Sequence, residues 1–192
     1  MPMQTRCPFA DCFRDFELAE DTEFTVVDCP ACGRRMTART LARHQEIDKQ
    51  LKKHVENGTD SASFFSSAKS LGKFVAVCEE IRSLWRVGSL FRSADAAGFS
   101  HLFLIGISGC PPRKEIAKTS LGAEDHVNWN YAGNTIEVLS SLKSMGYQIV
   151  ALEKTENSKS LTKCLNEGLL KSPLCLVVGS EVKGVYSETL DA

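Results

Sequence analysis

The stretch Pro173–Ala192, PLCLVVGSEVKGVYSETLDA, decides how the rest of the chain is read. An apolar run, LCLVV over 174–178, empties into a loop carrying Gly179, Glu181 and Gly184, after which a Ser-capped helix is predicted. A buried strand that opens into a glycine loop and then a helix belongs at the carboxyl edge of a parallel sheet, where open α/β folds bind ligands. The glycines would let backbone amides approach such a ligand closely, and Glu181 adds a hydrogen-bond acceptor.

The same alternation continues upstream. FVAVC (74–78), HLFLIG (101–106) and YQIVALE (147–153) are strand candidates. Between them LWRVGSLFRSADAAG (84–98) and NTIEVLSSLKSMG (134–146) are helical stretches, each ending at a glycine suited to a C-cap. Near-continuous apolar strands alternating with helices predict an α/β fold with a parallel sheet covered on both faces. Ahead of this region, 57–72 (NGTDSASFFSSAKSLG) has the composition of a linker, and 37–56 (TARTLARHQEIDKQLKKHVE) is predicted to be a helix. Residues 1–36 are rich in cysteine and turns.

Bulk composition excludes several classes. The 192 residues are 43% hydrophobic and 24% charged, with a net charge of −1, so a nucleic-acid surface must be local rather than global. No apolar stretch approaches the roughly 20 residues that span a bilayer, and MPMQTRCPF has no hydrophobic leader. The cytoplasm is the expected compartment, with no membrane partner.

Four of the eight cysteines crowd the first 32 residues as CPFADC and CPACG. Two turns that each present a pair of thiolates suit a tetrahedral zinc ion with Zn–S bonds of about 2.3 Å. A disulfide pair is the alternative, and it needs a secreted context. A structural zinc ribbon on Cys7, Cys12, Cys29 and Cys32 is therefore expected, with Gly33 aiding the second turn and His44 exposed on the following helix. Residues 34–53 hold seven Lys/Arg against two acids, and Arg35, Arg39 and Arg43 recur every four residues as one helical stripe. Such a stripe contacts RNA phosphates or is simply solvated.

EEIRSLWRVGSLFRSADAAGFSHLFLIG resembles the first motif of the SpoU/TrmH branch of the SPOUT RNA methyltransferases, Asn-x-Gly-x-x-x-Arg-x-Ala-x-x-x-Gly. KTSLGAEDHV (118–127) is similar to that family's mid-domain Ser-x-Gly-Ala segment, and LVVGSEVKGVYSETLDA to its second motif. The likeness covers residues 73–192 with order and spacing kept. It implies a Rossmann-like sheet of SPOUT type with a carboxyl-terminal trefoil knot and a homodimer with the active site near the subunit interface. It also implies S-adenosylmethionine as methyl donor and a ribose 2′-hydroxyl of tRNA or rRNA as acceptor.

Carried over by position, Arg92 matches the catalytic arginine, and Glu181 joins it as a catalytic candidate. Val178, Gly179, Glu181 and Gly184 match the cofactor loop, and Gly88 and Gly98 the structural glycines of the first motif. Arg86 stands where the family has asparagine, and with Arg82 it forms a candidate phosphate rail. Cys110, before Pro111-Pro112, is expected to be structural. The family's third motif is not in this sequence, so an incomplete knot and a cofactor pocket short of part of its wall are expected. The competing reading is a catalytically incomplete RNA-binding protein that uses the zinc ribbon and basic helix. A dinucleotide oxidoreductase is disfavoured because no Gly-x-Gly-x-x-Gly follows the first strand.

Overall fold

The computed structural model describes residues 3–7, 14–18, 26–33, 35–37, 64–65, 68 and 70–192. The chain divides into two compact units, Met1–Glu56 and Asn57–Ala192. In the first, β1 (Met3–Arg6) pairs antiparallel with β2 (Asp15–Leu18), and β3 (Val26–Asp28) with β4 (Arg35–Thr37). Arg35 therefore lies on a strand and not on a helical stripe with Arg39 and Arg43. Its Nε is 3.0 Å from Asp28 Oδ1, a cross-strand bond that, with the carboxylate's charge, raises the guanidinium's pKa. Thr37, the first residue of the helix expected over 37–56, closes β4 instead, and residues 38–56 lie outside the described residues. Arg39, Arg43 and His44 lie outside the described residues.

The second unit is built on five strands: β5 (Phe74–Glu79), β6 (His101–Ile105), β7 (Asn128–Ala132), β8 (Gln148–Leu152) and β9 (Leu174–Val178). They pair in the order β7-β6-β5-β9-β8, every pair parallel. The helices are α1 (Leu84–Ala97), α2 (Lys114–Ser120), α3 (Thr135–Ser144), α4 (Leu161–Asn166) and α5 (Ser187–Asp191). This is the α/β architecture expected.

Strand alternation divides the core between the two faces. Val75, Val77, Phe103, Ile105, Cys175 and Val177 pack on one side with Val138, Leu139 and Leu142 of α3. Ala76, Cys78, Leu102 and Leu104 pack on the other with Val87, Phe91 and Ala94 of α1 and Ile116 of α2. Two faces needing cover explain why these strands read as unbroken apolar runs. Burying a side chain such as Phe91, 0% exposed, is worth about 1.5–3 kcal/mol.

Two expectations change, and one strand is new. Phe64 and Phe65, read as linker, pack on the first core, with Phe65 stacked on Phe103 at 5.3 Å. NWNYA forms the edge strand β7, a strand without an apolar run. Ser187 is the first residue of α5 rather than its cap, and that place falls to Tyr186.

Helix α1 is well delimited. Ser83 accepts a hydrogen bond from the Arg86 amide at its start, and Gly98, at φ 74°, ends it in the left-handed conformation. Gly88 lets α2 come close, since a Cβ there would lie 2.4 Å from the Ile116 carbonyl oxygen and 2.1 Å from Thr119 Oγ1. Two effects of opposite sign compete at this position. Alanine favours an isolated helix by about 1 kcal/mol, but overpacking a helix contact costs about 1–3 kcal/mol. Because backbone is the obstacle, overpacking wins, and Gly88→Ala should lower Tm by several degrees in a thermal melt. A raised Tm would contradict the contact.

Candidate functional site at the carboxyl edge of the sheet

β5 and β9 lie side by side although far apart in sequence, with Cys78 paired to Val178; the chain leaving β5 enters the face covered by α1, and the chain leaving β9 enters the other, where Val185 is buried. Beyond these residues lie Glu79 and Glu80 on one strand and the turn from Gly179 to Val185 on the other. The turn folds on itself. Ser180 and Gly184 exchange two backbone hydrogen bonds of 2.9 Å, and the Lys183 amide donates to Ser180 Oγ at 3.1 Å. A Cβ on Gly179 would lie 2.0 Å from the Gly184 carbonyl carbon, and one on Gly184 would lie 1.9 Å from Glu153 Oε2. The close approach these glycines permit is thus of the chain to itself, where the sequence suggested approach to a ligand.

Carboxylates hold the turn from three directions. Glu79, the last residue of β5 and 1% exposed, accepts from the Tyr186 amide at 3.0 Å and from Thr189 Oγ1 at 2.5 Å. Glu153, just past β8, accepts from the Val185 amide at 2.8 Å and from its neighbour Lys154 at 2.8 Å. The Lys154 and Val185 amides hold this carboxyl below its ordinary pKa.

Glu181 reaches across to α1. Its Oε2 accepts from the Arg82 amide and its Oε1 from the Ser83 amide, both at 2.9 Å, while Arg86 Nε stands 3.8 Å away. Burial pushes the Glu181 carboxyl up, but these amides, its own amide and the Arg86 charge outweigh that and leave it lowered. The carboxylate also faces the positive end of the α1 dipole.

Glu79, Glu80 and Glu153 were not singled out from the sequence. The signal was a charge at the end of an apolar run, which reads equally well as a strand meeting solvent. Glu80 is buried at φ 56°, with Oε2 accepting from the Ile107 amide at 3.3 Å. Burial is the main reason its carboxyl is pushed up to about 7.

Arg92 occupies a different place. It lies on the exposed flank of α1, in an open groove of about 440 Å³ lined by Ser89, Ser93 and Ala96 of the same helix and by Lys118 and Thr119 of α2. Nine residues of helix, about 14 Å, separate it from the Ser83 amide held by Glu181. The structure therefore joins the turn to the start of α1 but does not bring Arg92 and the turn into one groove. Arg82 and Arg86 are exposed, and Arg86 leans toward Glu181. Cys110 is buried, which raises its thiol to about 12.

In the other unit, one sulfur atom each of Cys7, Cys29 and Cys32 lie within 4.8 Å of one another. Cys7 and Cys32 Sγ are 3.7 Å apart, close to the roughly 3.8 Å between two thiolates on one tetrahedral ion with bonds of about 2.3 Å. Gly33, at φ 68°, donates its amide to the Cys29 carbonyl at 2.8 Å and closes the second knuckle. Burial raises the Cys29 thiol, but the Cys32 and Ala31 amides and the Cys32 and Cys7 thiols overcome it and bring it to about 7. Cys12 lies outside the described residues.

Comparison with known proteins agrees with this fold. A Bacillus subtilis protein, assigned by name to the TrmH family of tRNA/rRNA methyltransferases, is 24% identical over 169 residues. That match takes in 88% of this chain but 65% of the relative, so the chain spans less than two thirds of that protein. The crystal structure of an AdoMet-bound rRNA methyltransferase from Sinorhizobium meliloti superposes with a TM-score of 0.54 at 20% identity, over 66% of this chain and 47% of that one. An RNA 2′-O ribose methyltransferase does so with a TM-score of 0.53 at 25% identity, over 65% and 45%. The model of the SpoU rRNA Methylase family matches residues 73–192, which take in the whole sheet, the turn after β9 and α1, and the chain belongs to that family.

Proposed function

We propose that this chain carries the methyltransferase domain of an S-adenosylmethionine-dependent enzyme that methylates a ribose 2′-hydroxyl in tRNA or rRNA. The observation that carries this reading is the turn from Gly179 to Val185, pinned by three carboxylates where neighbouring strands send their chains to opposite faces of the sheet. Such a crevice is where α/β sheets of this kind take a nucleotide-like ligand. Val178, Gly179, Glu181 and Gly184 line the donor side. When bound, S-adenosylmethionine supplies a methyl group on a sulfonium, which a hydroxyl oxygen accepts by in-line displacement. Holding acceptor and donor in line supplies much of the rate.

Arg92 is the acceptor-side residue. A guanidinium keeps its proton and is a poor base, so its part is to hold the ribose oxygen and its adjacent phosphate and to stabilise negative charge as it develops. Glu181 spends both oxygens on the amides of Arg82 and Ser83, so it acts as the link that fixes the donor turn to the helix bearing Arg92. Arg82 and Arg86, at the mouth of the same helix, take neighbouring phosphates.

The distance along α1 between the Glu181 link and Arg92 favours a homodimer in which Arg92 of one copy meets the donor turn of the other. The amino-terminal segment, 1–36, is a structural zinc ribbon on Cys7, Cys12, Cys29 and Cys32, and the basic helix and linker that follow it, 37–72, contact RNA through Arg39 and Arg43. Such an enzyme would work in the cytoplasm. No helix among the described residues is long and apolar enough to cross a membrane.

Isothermal titration with S-adenosylmethionine and mass mapping of methylated nucleotides test this reading together. Arg92→Ala should bind the cofactor with unchanged Kd while methyl transfer falls about 100-fold or more. Gly179→Val should lose cofactor binding. Methylation confined to bases, or a cofactor Kd that moves equally in both variants, would contradict it. For the amino-terminal unit, emission spectroscopy should find one zinc per chain, released by Cys29→Ser. A chain purified without chelator and free of zinc would refute the ribbon.

A further inference from the structure

The groove that holds Arg92 has an aromatic neighbour that the methyl-transfer reading leaves unused. Trp85 stands in the first turn of α1, on the side of the helix that carries Ser89 and Arg92, and it is 49% exposed. Its backbone is fixed from both helices, because its carbonyl accepts Ser89 Oγ at 3.0 Å and Thr119 Oγ1 at 2.9 Å. Lys118 Nζ lies 5.5 Å from the centre of its ring. Among the described residues neither Arg92 nor Lys118 is ion-paired. The groove thus offers two cations and the hydroxyl of Ser93, those of Ser89 and Thr119 being spent on the Trp85 carbonyl, with a half-exposed indole at the end nearer the donor turn.

Two cations side by side suit a phosphate diester, and an exposed indole beside them suits the face of a base. The two together fit a nucleotide strand whose bases are free to unstack. An intact duplex keeps its bases stacked inside and offers no face to the indole.

We infer that Trp85 is a base-stacking platform, and that with Arg92 and Lys118 it selects an unpaired nucleotide next to the ribose to be methylated. This rests on the RNA methyltransferase reading and narrows its substrate to single-stranded or loop segments. Lys118 sets the strength of backbone attraction, and Trp85 the preference for an exposed base.

Fluorescence anisotropy of the full chain with a labelled adenosine dodecamer, the same backbone without bases, and the matching duplex tests the inference. The base-bearing single strand should bind about tenfold more tightly than the abasic one. Trp85→Ala should erase that difference, and Trp85→Phe should keep most of it. Lys118→Gln should weaken both strands alike and lower the salt slope by about one. Equal affinity of the unmodified protein for base-bearing and abasic strands would overturn the proposal without any variant having to fold. So would a folded Trp85→Ala protein that retains the preference. Loss of self-association by Trp85→Ala in sedimentation would assign the indole to a contact between copies and overturn it as well. Cofactor titration on the same preparations separates the two readings: cofactor binding without base preference sinks only this inference, whereas base preference without cofactor binding sinks the enzyme.

Discussion

The carboxyl edge of this sheet depends on carboxylates accepting hydrogen bonds from backbone amides. A glycine turn left to itself has many conformations, and ordering each residue costs about 1–2 kcal/mol. Here Glu79, Glu153 and Glu181 fix the turn from β5, from the end of β8 and from within. A hydrogen bond of this kind contributes most where both groups are shielded from solvent. The Glu79 contact is the most buried of the three. The lowered pKa values of Glu153 and Glu181 mean that their support is present above the ordinary carboxylate range and is lost as pH falls through their folded-state values. Glu80 acts in the opposite sense. Its raised pKa makes burial costly once pH exceeds its unfolded value, with the full cost reached above about 7.

Glu181 makes the turn and α1 a single rigid piece. Without it the amides of Arg82 and Ser83, just ahead of α1, would lack an acceptor from the turn, and only the packing of Val178 on the core beneath α1 would tie the donor side of the crevice to the helix that carries Trp85 and Arg92. Gly88 then seats that helix against α2, which brings Lys118 beside the indole. Each contact positions the next. A single carboxylate therefore links two surfaces about 14 Å apart along the helix.

The sheet was legible wherever both faces of a strand are buried, because apolar runs then have no competing explanation. FVAVC, HLFLI and LCLVV appear as β5, β6 and β9 with boundaries within a residue. Strand β7 was invisible because Asn128 and Asn130 interrupt it, and buried Asn130 bonds the side chain of His101 instead of adding to an apolar run. Helix α4 has no buried residue and so no periodic stripe to find. At the site, the motif positions were readable, but the partners that fix them were not. A Glu at the end of a strand looks the same whether it meets water or a backbone amide a hundred residues away. Arg35 failed for the opposite reason: a spacing of four suggested a helix where cross-strand pairing with Asp28 decides.

The central claim is that the turn pinned by these carboxylates is where the methyl donor sits. Amide chemical-shift mapping of the ¹⁵N-labelled chain during titration with S-adenosylmethionine tests it most directly. The account predicts saturable shifts concentrated at Gly179–Val185 and at Glu153–Lys154, with little change at the opposite edge of the sheet around Ser100–His101. Shifts clustered at that opposite edge, or none at saturating cofactor, would contradict it.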